Sequence, residues 1–309
     1  MKRDLLRIAD LSTPEIETIL DLARRLKADL RAHRPHPLLA GRTLAMILEK
    51  PSLRTRVTFE VGMVQFGGAA ISLAPGDIQF GERETASDIA RNLERWVDLI
   101  MARVFIHQSL IDLARAAHVP VINGLSDLHH PCQVLSDCLT LLERRGRLDG
   151  LRVVFVGDGN NMAHSWMDAA ARLGFDFVLA CPRGYEPDQA IAAEAGAAVT
   201  ITHDVDAAVR GADVLYTDVW TSMGQESEAA ARRRAFRPYQ LNERLVGLAR
   251  PDVLVMHCLP AHRGEEITDA VIDGPRSVVF DQAENRLHAQ KAIMAWLTGA
   301  TTAAGGGAG

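Results

Sequence analysis

Apolar positions follow a helical rhythm first. From Ser12 to Leu30, Ile16, Ile19, Leu20, Ala23 and Leu26 fall on one stripe at helical spacing. Ser12 and Thr13 can cap this helix, Pro14 suits its first turn, and Glu15 completes a capping box. The stretch from Arg31 to Pro37 reads as a loop. Short apolar runs then alternate with helical patterns. Strands are predicted at Thr43 to Leu48, Ala70 to Leu73, Leu99 to Ala102 and Val119 to Ile122. Helices are predicted at Arg54 to Phe66, where Gly67-Gly68 stops the pattern, then at Thr85 to Trp96, Leu110 to Ala117 and Cys132 to Arg144. Gly146 to Gly150 reads as a domain junction. A second series places strands at Arg152 to Val156, Asp176 to Leu179, Val199 to Thr202, Val214 to Thr217, Val253 to Met256 and Ser277 to Phe280. The last helix is predicted from about Asn285 to Trp296. Strand–helix alternation of this kind predicts parallel sheets with crossover helices. The fold class is therefore α/β, with two open parallel-sheet domains at residues 1–145 and 146–284. A C-terminal helix at 285–300 follows, and then a tail at 301–309, built of Thr, Ala and Gly, that is predicted to be disordered.

Composition narrows the partners. Hydrophobic residues are 48% and charged residues 24% of the 309, which excludes wholesale disorder and collagen-like structure. A net charge of −5, from 34 basic and 39 acidic residues, gives no reason to expect nucleic acid or a membrane surface as partner. No apolar run approaches the ~20 residues of a membrane span. The N-terminus lacks the apolar core of a signal peptide. The four cysteines, Cys132, Cys138, Cys181 and Cys258, include no Cys-x-x-Cys pair. Neither a zinc knuckle nor a disulfide framework is expected, and a reducing, cytoplasmic compartment fits.

In open α/β sheets ligands bind beyond the carboxyl ends of the strands, so chemistry is sought there. After the first strand comes Glu49-Lys50-Pro51-Ser52-Leu53-Arg54-Thr55-Arg56. A helix start offers unpaired N–H groups, Ser52 and Thr55 add hydroxyls, and Arg54 adds a planar fork, which together make a phosphate cradle without Walker-type glycines. Taken alone, an N-cap with solvated arginines is slightly favoured. Arg103 leaves a buried strand, where a surface ion pair is the plain alternative. His129-His130-Pro131-Cys132-Gln133 is either a helix-capping loop or, less well spaced, a metal site. Gly157-Asp158-Gly159-Asn160-Asn161-Met162 carries a Gly-x-Gly, but Met162 stands where a dinucleotide fingerprint needs its third Gly. A smaller ligand, or simply a tight turn, is expected. The connection from Val219 to Tyr239 is long and polar, as lids are. Its Arg232-Arg233-Arg234 run reads as a solvated face. His257 and Cys258 are adjacent on an extended segment, so they point to opposite faces and make a poor catalytic pair.

Taken together the motifs are specific. Ser52-Leu53-Arg54-Thr55-Arg56, His130-Pro131-Cys132-Gln133, Gly157 to Asn161, Asp218 through Ser222-Met223-Gly224, His257-Cys258-Leu259-Pro260-Ala261-His262-Arg263-Gly264 and Glu284-Asn285-Arg286 occur in one order. With them the chain resembles the aspartate/ornithine transcarbamylase family, from the first helix to Trp296. Cys132, Cys258 and Ser222-Met223-Gly224 resemble its ornithine branch. Leu53 stands where the family motif has Thr, so its backbone N–H replaces a hydroxyl contact.

That resemblance implies a carbamoyl-phosphate domain first, an ornithine domain second, and a last helix that packs back on the first domain. It implies transfer of a carbamoyl group from carbamoyl phosphate to the δ-amine of L-ornithine, giving L-citrulline and phosphate, as in arginine biosynthesis, with no metal or cofactor. Ser52, Leu53, Arg54 and Thr55 are implied to hold phosphate. Arg103, His130 and Thr55 are implied to polarise the carbonyl. Gln133 and Arg286 are implied to hold the carbamoyl group, with Gln79 on a loop that reaches the active site of a neighbouring subunit in a homotrimer and Arg83 near where some relatives use a Lys. Asn161, Asp218, Ser222 and Met223 are implied to bind ornithine, and Cys258 and Leu259 to face the carbamoyl group and the δ-amine. Arg103, His130, Asp218 and Cys258 are the implied catalytic set. Putrescine or an acylated ornithine as acceptor, an NAD(P)-linked oxidoreductase, and a non-catalytic assembly subunit are the competing readings.

Overall fold

The computed structural model describes residues 2–74, 76–78, 84–222, 224 and 226–301. The chain divides into two compact units. One comprises residues 1–139 with 284 onward, and the other residues 140–283.

The first unit runs α1 (Thr13–Arg31), β1 (Thr43–Leu48), α2 (Leu53–Gln65), β2 (Ala69–Leu73), α3 (Ala86–Leu93), β3 (Leu99–Arg103), α4 (His107–Ala116), β4 (Val121–Leu125) and the start of α5 (Pro131–Arg145). Its sheet is all parallel, in the order β2-β1-β3-β4. The two central strands are buried along nearly their whole length, which is why they read as unbroken apolar runs. The Glu15 carboxylate accepts from the Ser12 N–H at 2.9 Å, as the capping pattern predicts.

The second unit continues with β5 (Arg152–Val156), α6 (Asn161–Leu173), β6 (Asp176–Ala180), α7 (Gln189–Ala195), β7 (Val199–Thr202), α8 (Val205–Val209), β8 (Val214–Thr217), α9 (Ala229–Phe236), α10 (Glu243–Leu248), β9 (Leu254–His257), α11 (Asp269–Ile272) and the start of α12 (Val279–Leu297). Its parallel sheet has the order β7-β6-β5-β8-β9. Trp166 of α6 packs between Phe175, Phe177 and Tyr216 in the core beneath this sheet.

Two elements depart from the sequence reading. Ser277 to Phe280 makes a single bridge to Val255, not a strand, and α12 starts at Val279. Val278 and Val279 are buried while Phe280 is exposed, so this short apolar run is the inward face of a helix start. Near the N-terminus, Leu5 pairs beside β4, donating to Val121 O at 2.9 Å and accepting from Asn123 N–H at 2.8 Å, an edge that no periodicity announced. The tail from residue 302 lies outside the described residues.

From Glu284 onward α12 belongs to the first unit. Lys27 Nζ donates to Asn285 Oδ1 at 2.6 Å, and Lys291 Nζ to Gln65 Oε1 at 2.7 Å. Gly62 of α2 lets α12 approach, because a Cβ there would meet Lys291 Cγ and Met294 Cε at 3.1 Å. Among the described residues no helix is long and apolar enough to cross a membrane.

Each sheet order reverses direction once. The chain leaves β1 for β2 on one side and returns to β3 on the other; in the second unit it leaves β5 for β6 and β7 and returns to β8. Such switch points open a crevice at the strands' carboxyl ends.

Candidate functional site

In the first unit the crevice lies between β1 and β3. Ser52 caps α2, and its Oγ accepts from the Thr55 N–H at 3.3 Å. Helix α2 therefore presents its positive end and first N–H groups just beyond β1. Leu53 is the first helical residue and its side chain is exposed, so only its backbone is available to an anion there. Arg103 pairs in register with Leu48, and its carbonyl accepts from the Glu49 N–H at 2.9 Å. The arginine is thus buried beside the start of the phosphate-cradle loop, not at the surface.

His130 precedes α5 and is buried. Burial, and then repulsion from Arg286, Arg103 and Arg54, hold its pKa well below the usual imidazole range. Four residues from distant parts of the sequence therefore share one electrostatic neighbourhood. The imidazole stays neutral near pH 7, so one ring nitrogen can donate while the other accepts. Arg286 reaches the same place from α12, with Nη1 donating to Gln133 Oε1 and Nη2 to Thr55 Oγ1 at 3.2 Å. Gln133 Nε2 donates to Asp137 Oδ1 at 2.8 Å. Its oxygen has a second lone pair for a carbamoyl N–H.

Lys50, which the sequence reading did not select, is buried and sits 4.5 Å from the Phe105 ring centroid. Burial, and then Arg103, lower its pKa. Its signal in the sequence was a Lys between a buried strand and a cradle. Gln79 and Arg83 lie outside the described residues.

In the second unit the strand ends of β5, β8 and β9 converge on Asp218. Its carboxylate accepts from Asn160 Nδ2 at 3.1 Å, from the Val219 N–H at 2.8 Å and from Cys258 Sγ at 2.9 Å. Asn160 also caps α6, its Oδ1 accepting from the Met162 and Ala163 N–H groups at 2.9 and 3.3 Å. Asn161 opens that helix and is half-buried, as is Ser222. Met223 lies outside the described residues.

Gly159 packs against the protein's own backbone: a Cβ there would lie 2.3 Å from Pro187 N. Its lack of a side chain serves this contact rather than the approach of a dinucleotide pyrophosphate.

His257 and Cys258 bond to different partners, yet a ring nitrogen of His257 lies within 4.8 Å of the Cys258 sulfur, closer than the alternation of an extended segment predicts. Cys258 turns to Asp218, while His257 is buried with Nε2 3.0 Å from Glu266 Oε1. His257 Nδ1 accepts from the Leu259 N–H at 2.8 Å, so Nε2 carries the proton and donates to Glu266. Glu266 also accepts from the His262 N–H at 2.6 Å. The pair fixes Leu259, which sits at φ +58° before a cis peptide bond to Pro260. Glu266 had no signal in the sequence. Asp218, His257 and Cys258 lie close enough to hold a metal. Both imidazole nitrogens are committed, however, so a metal would first have to break a bond to Leu259 or Glu266.

The Arg232-Arg233-Arg234 run needs correction. Arg232 is buried, donating from Nη1 to Asp158 Oδ2 at 3.0 Å and to Trp220 O at 3.1 Å, with its guanidinium 4.9 Å from the Tyr185 ring centroid. Only Arg233 and Arg234 are exposed. Burial pushes Asp158 up to about 6, against the pull of Arg232. This pair anchors α9, and with it the connection after β8, to the loop that carries Asn160.

Comparison with known proteins fits this geometry. Residues 3–143 match the family description "Aspartate/ornithine carbamoyltransferase, carbamoyl-P binding domain", and residues 149–297 match its "Asp/Orn binding domain". An ornithine carbamoyltransferase of Thermococcus kodakarensis is 56% identical over 304 residues, covering 96% of each chain. One of Pyrococcus furiosus, described as anabolic, is 56% identical over the same length and coverage. The solved structure of ornithine carbamoyltransferase from Pyrococcus furiosus superposes with a TM-score of 0.93 at 56% identity, covering 96% of this chain and 97% of that one. On this likeness along both units, the chain belongs to the aspartate/ornithine carbamoyltransferase family.

Proposed function

We propose that the chain is a carbamoyltransferase that moves the carbamoyl group of carbamoyl phosphate to the δ-amine of L-ornithine, releasing L-citrulline and phosphate. The observation that carries the reading is the cationic cluster around a neutral His130 at the carboxyl ends of β1 and β3. A dianionic phosphate suits a helix N-terminus flanked by guanidinium groups. In the reaction the neutral amine attacks the carbamoyl carbon, negative charge builds on the carbonyl oxygen, the bond to the phosphate oxygen breaks, and the amine loses its extra proton. In this reading Ser52, Arg54, Thr55 and the Leu53 N–H bind phosphate. Arg103, His130 and Thr55 stabilise the oxyanion, which a neutral imidazole can do by donating one hydrogen bond. Gln133 and Arg286 hold the carbamoyl group.

The same reading gives ornithine to the second unit. Asp218 and Ser222 take the α-ammonium, and Asn161 the α-carboxylate. Cys258 and the Leu259 carbonyl face the δ-amine. Asp218, steadied by three donors, is a fixed negative charge suited to an ammonium group. Cys258 and Asp218 together favour the amine form that can attack. If Cys258→Ala and Cys258→Ser both keep the wild-type rate and pH profile, that role for the thiol is lost.

We also propose that the protein works as a cytoplasmic homotrimer in the biosynthetic direction. Leu53, Val57, Val61 and Val64 form an exposed apolar stripe along α2, with Ile71 exposed on the neighbouring edge strand, an arrangement suited to burial against other copies. The four cysteines are free thiols, consistent with a reducing compartment. Light scattering after size exclusion tests the assembly.

The reaction itself is tested by citrulline formation from carbamoyl phosphate, comparing ornithine with acetylornithine, putrescine and aspartate. Ornithine should give by far the highest kcat/KM. Equal or better turnover of another amine overturns the assignment of substrate.

A further inference from the structure

Helix α12 is unusual in what it buries. Asn285, Arg286, His288, Gln290 and Lys291 are all inaccessible to solvent or nearly so. Of these, Gln290 sits four residues after Arg286, on the same face of the helix. Its amide lies between the Arg286 guanidinium and Thr58 Oγ1 of α2. Which end faces which follows from counting hydrogens. The single hydroxyl hydrogen of Thr58 goes to Arg54 O, at 2.5 Å, one turn back in α2. The guanidinium can only donate. The Gln290 oxygen must therefore face Arg286, accepting from Nη2 at 2.7 Å and Nε at 3.2 Å, and its NH2 must face Thr58.

The Arg286 plane is thus gripped on three sides, by Gln133, Thr55 and Gln290. Gln290 also ties α12 to the turn of α2 that carries Arg54 and Thr55. We propose that Gln290 is a positioning residue for carbamoyl-phosphate binding. It sets the plane of the Arg286 guanidinium and locks it to the phosphate-binding end of α2, without touching substrate itself. This rests on the assignment of the first unit to carbamoyl phosphate.

The test compares Gln290→Leu and the near-isosteric Gln290→Glu with wild type. The readouts are kcat, KM for each substrate, thermal midpoint, and binding of inorganic phosphate by calorimetry. Losing both charge-assisted hydrogen bonds from Arg286 should raise KM for carbamoyl phosphate, and weaken phosphate binding, by about tenfold or more. KM for ornithine at saturating carbamoyl phosphate should hold within about twofold, a split that a merely structural role would not produce. Gln290→Glu gives Arg286 a fixed carboxylate partner and should weaken phosphate binding further; the Thr58 hydroxyl can turn its hydrogen from Arg54 O to the new carboxylate oxygen, which keeps the contact between the helices. It therefore carries the test if the Leu variant fails to fold. Wild-type phosphate affinity and wild-type KM for carbamoyl phosphate in Gln290→Glu, whatever its thermal midpoint, overturn the proposal. A wild-type protein that binds phosphate but makes no citrulline overturns the reaction instead, and leaves the comparison of phosphate binding intact.

Discussion

Gly159→Ala puts one methyl group where the backbone leaves no room. The new Cβ would stand 2.3 Å from Pro187 N, 2.5 Å from Glu186 C and 2.7 Å from Pro187 Cα. All three neighbours are backbone atoms, so no side-chain rotation relieves the clash. Ordinary contact begins near 3.4 Å, so the two loops must part by about 1 Å. Gly159 N–H donates to Tyr185 O at 3.0 Å, and that bond stretches with them. The next residue, Asn160, donates to Asp218 at 3.1 Å, and about 1 Å more breaks that contact. A hydrogen bond to a charged group contributes roughly 1.5–3 kcal/mol, or about 10- to 150-fold in affinity. KM for ornithine should rise by that factor. KM for carbamoyl phosphate should move far less, because the groups that bind its phosphate lie in the first unit. Overpacking adds a global cost of about 1–3 kcal/mol, which lowers the thermal midpoint by several degrees. Steady-state kinetics with each substrate varied in turn, alongside a melting curve, reads all three quantities. A folded variant with a lower midpoint and wild-type KM for ornithine would refute the link from Gly159 through Asn160 to Asp218.

Arg232→Met should destabilise the protein by about 3–5 kcal/mol at pH 8, since it strands a buried carboxylate. The loss should shrink at pH 5, where Asp158, with its pKa raised to about 6, is protonated, and Asp158→Asn in the same chain should restore part of it; denaturant titrations of wild type and both variants at the two pH values measure this. Lys291, lowered to about 8 by burial, sheds its proton in the fold while the unfolded chain keeps it to about 10.5. Unfolded chains therefore bind more protons across that window, stability gains with rising pH, and Lys291→Met should flatten the gain in denaturation curves taken from pH 8 to 10.5. Its slope staying at the wild-type value would exclude Lys291 as the source. His130 should titrate well below pH 6.5 by NMR and move upward in Arg286→Met, because a nearby positive charge has gone; an unmoved resonance would place Arg286 out of its electrostatic reach.

Residues at strand ends were legible because a parallel sheet leaves them nowhere else to go. Once Thr43 to Leu48 and Leu99 to Ala102 are read as buried strands, Ser52, Arg54 and Arg103 must emerge at one edge. What the pattern could not give was the strand order. Only the pairing of Leu48 with Arg103 turns an arginine that reads equally well as a surface ion pair into a neighbour of the cradle. Arg286 is a harder case. It arrives on a helix at the far end of the sequence, and its motif marked it while no periodicity did. The failure at Ser277 to Phe280 has the opposite cause. Four residues hold too few positions to separate a period of 2 from one of 3.6, and the inward faces of a strand and of a helix start look alike there.

The supporting residues escaped notice for a further reason, which Arg232 makes plain. Three arginines in a row are chemically identical in sequence, yet one is buried in an ion pair while two are exposed. Helix phase separates them. Arg232 lies four residues after Glu228, whose carboxylate its Nε meets at 3.4 Å, and four before Phe236, whose ring packs 4.7 Å from that of Tyr185. Phe236 fixes which face of α9 turns inward, and Arg232 must follow it. The buried guanidinium then requires a partner, and Asp158 supplies it from the loop after β5. The same logic applies to Gln290, four residues from Arg286 on one face of α12. In both cases the decisive cue is the spacing of a polar residue from a neighbour already known to point inward. A sequence scan for charged or amide side chains at i±4 from such anchors would have selected Arg232 and Gln290. It would have passed over Glu266, whose partner His257 lies nine residues back on a strand and meets it only through the turn between them.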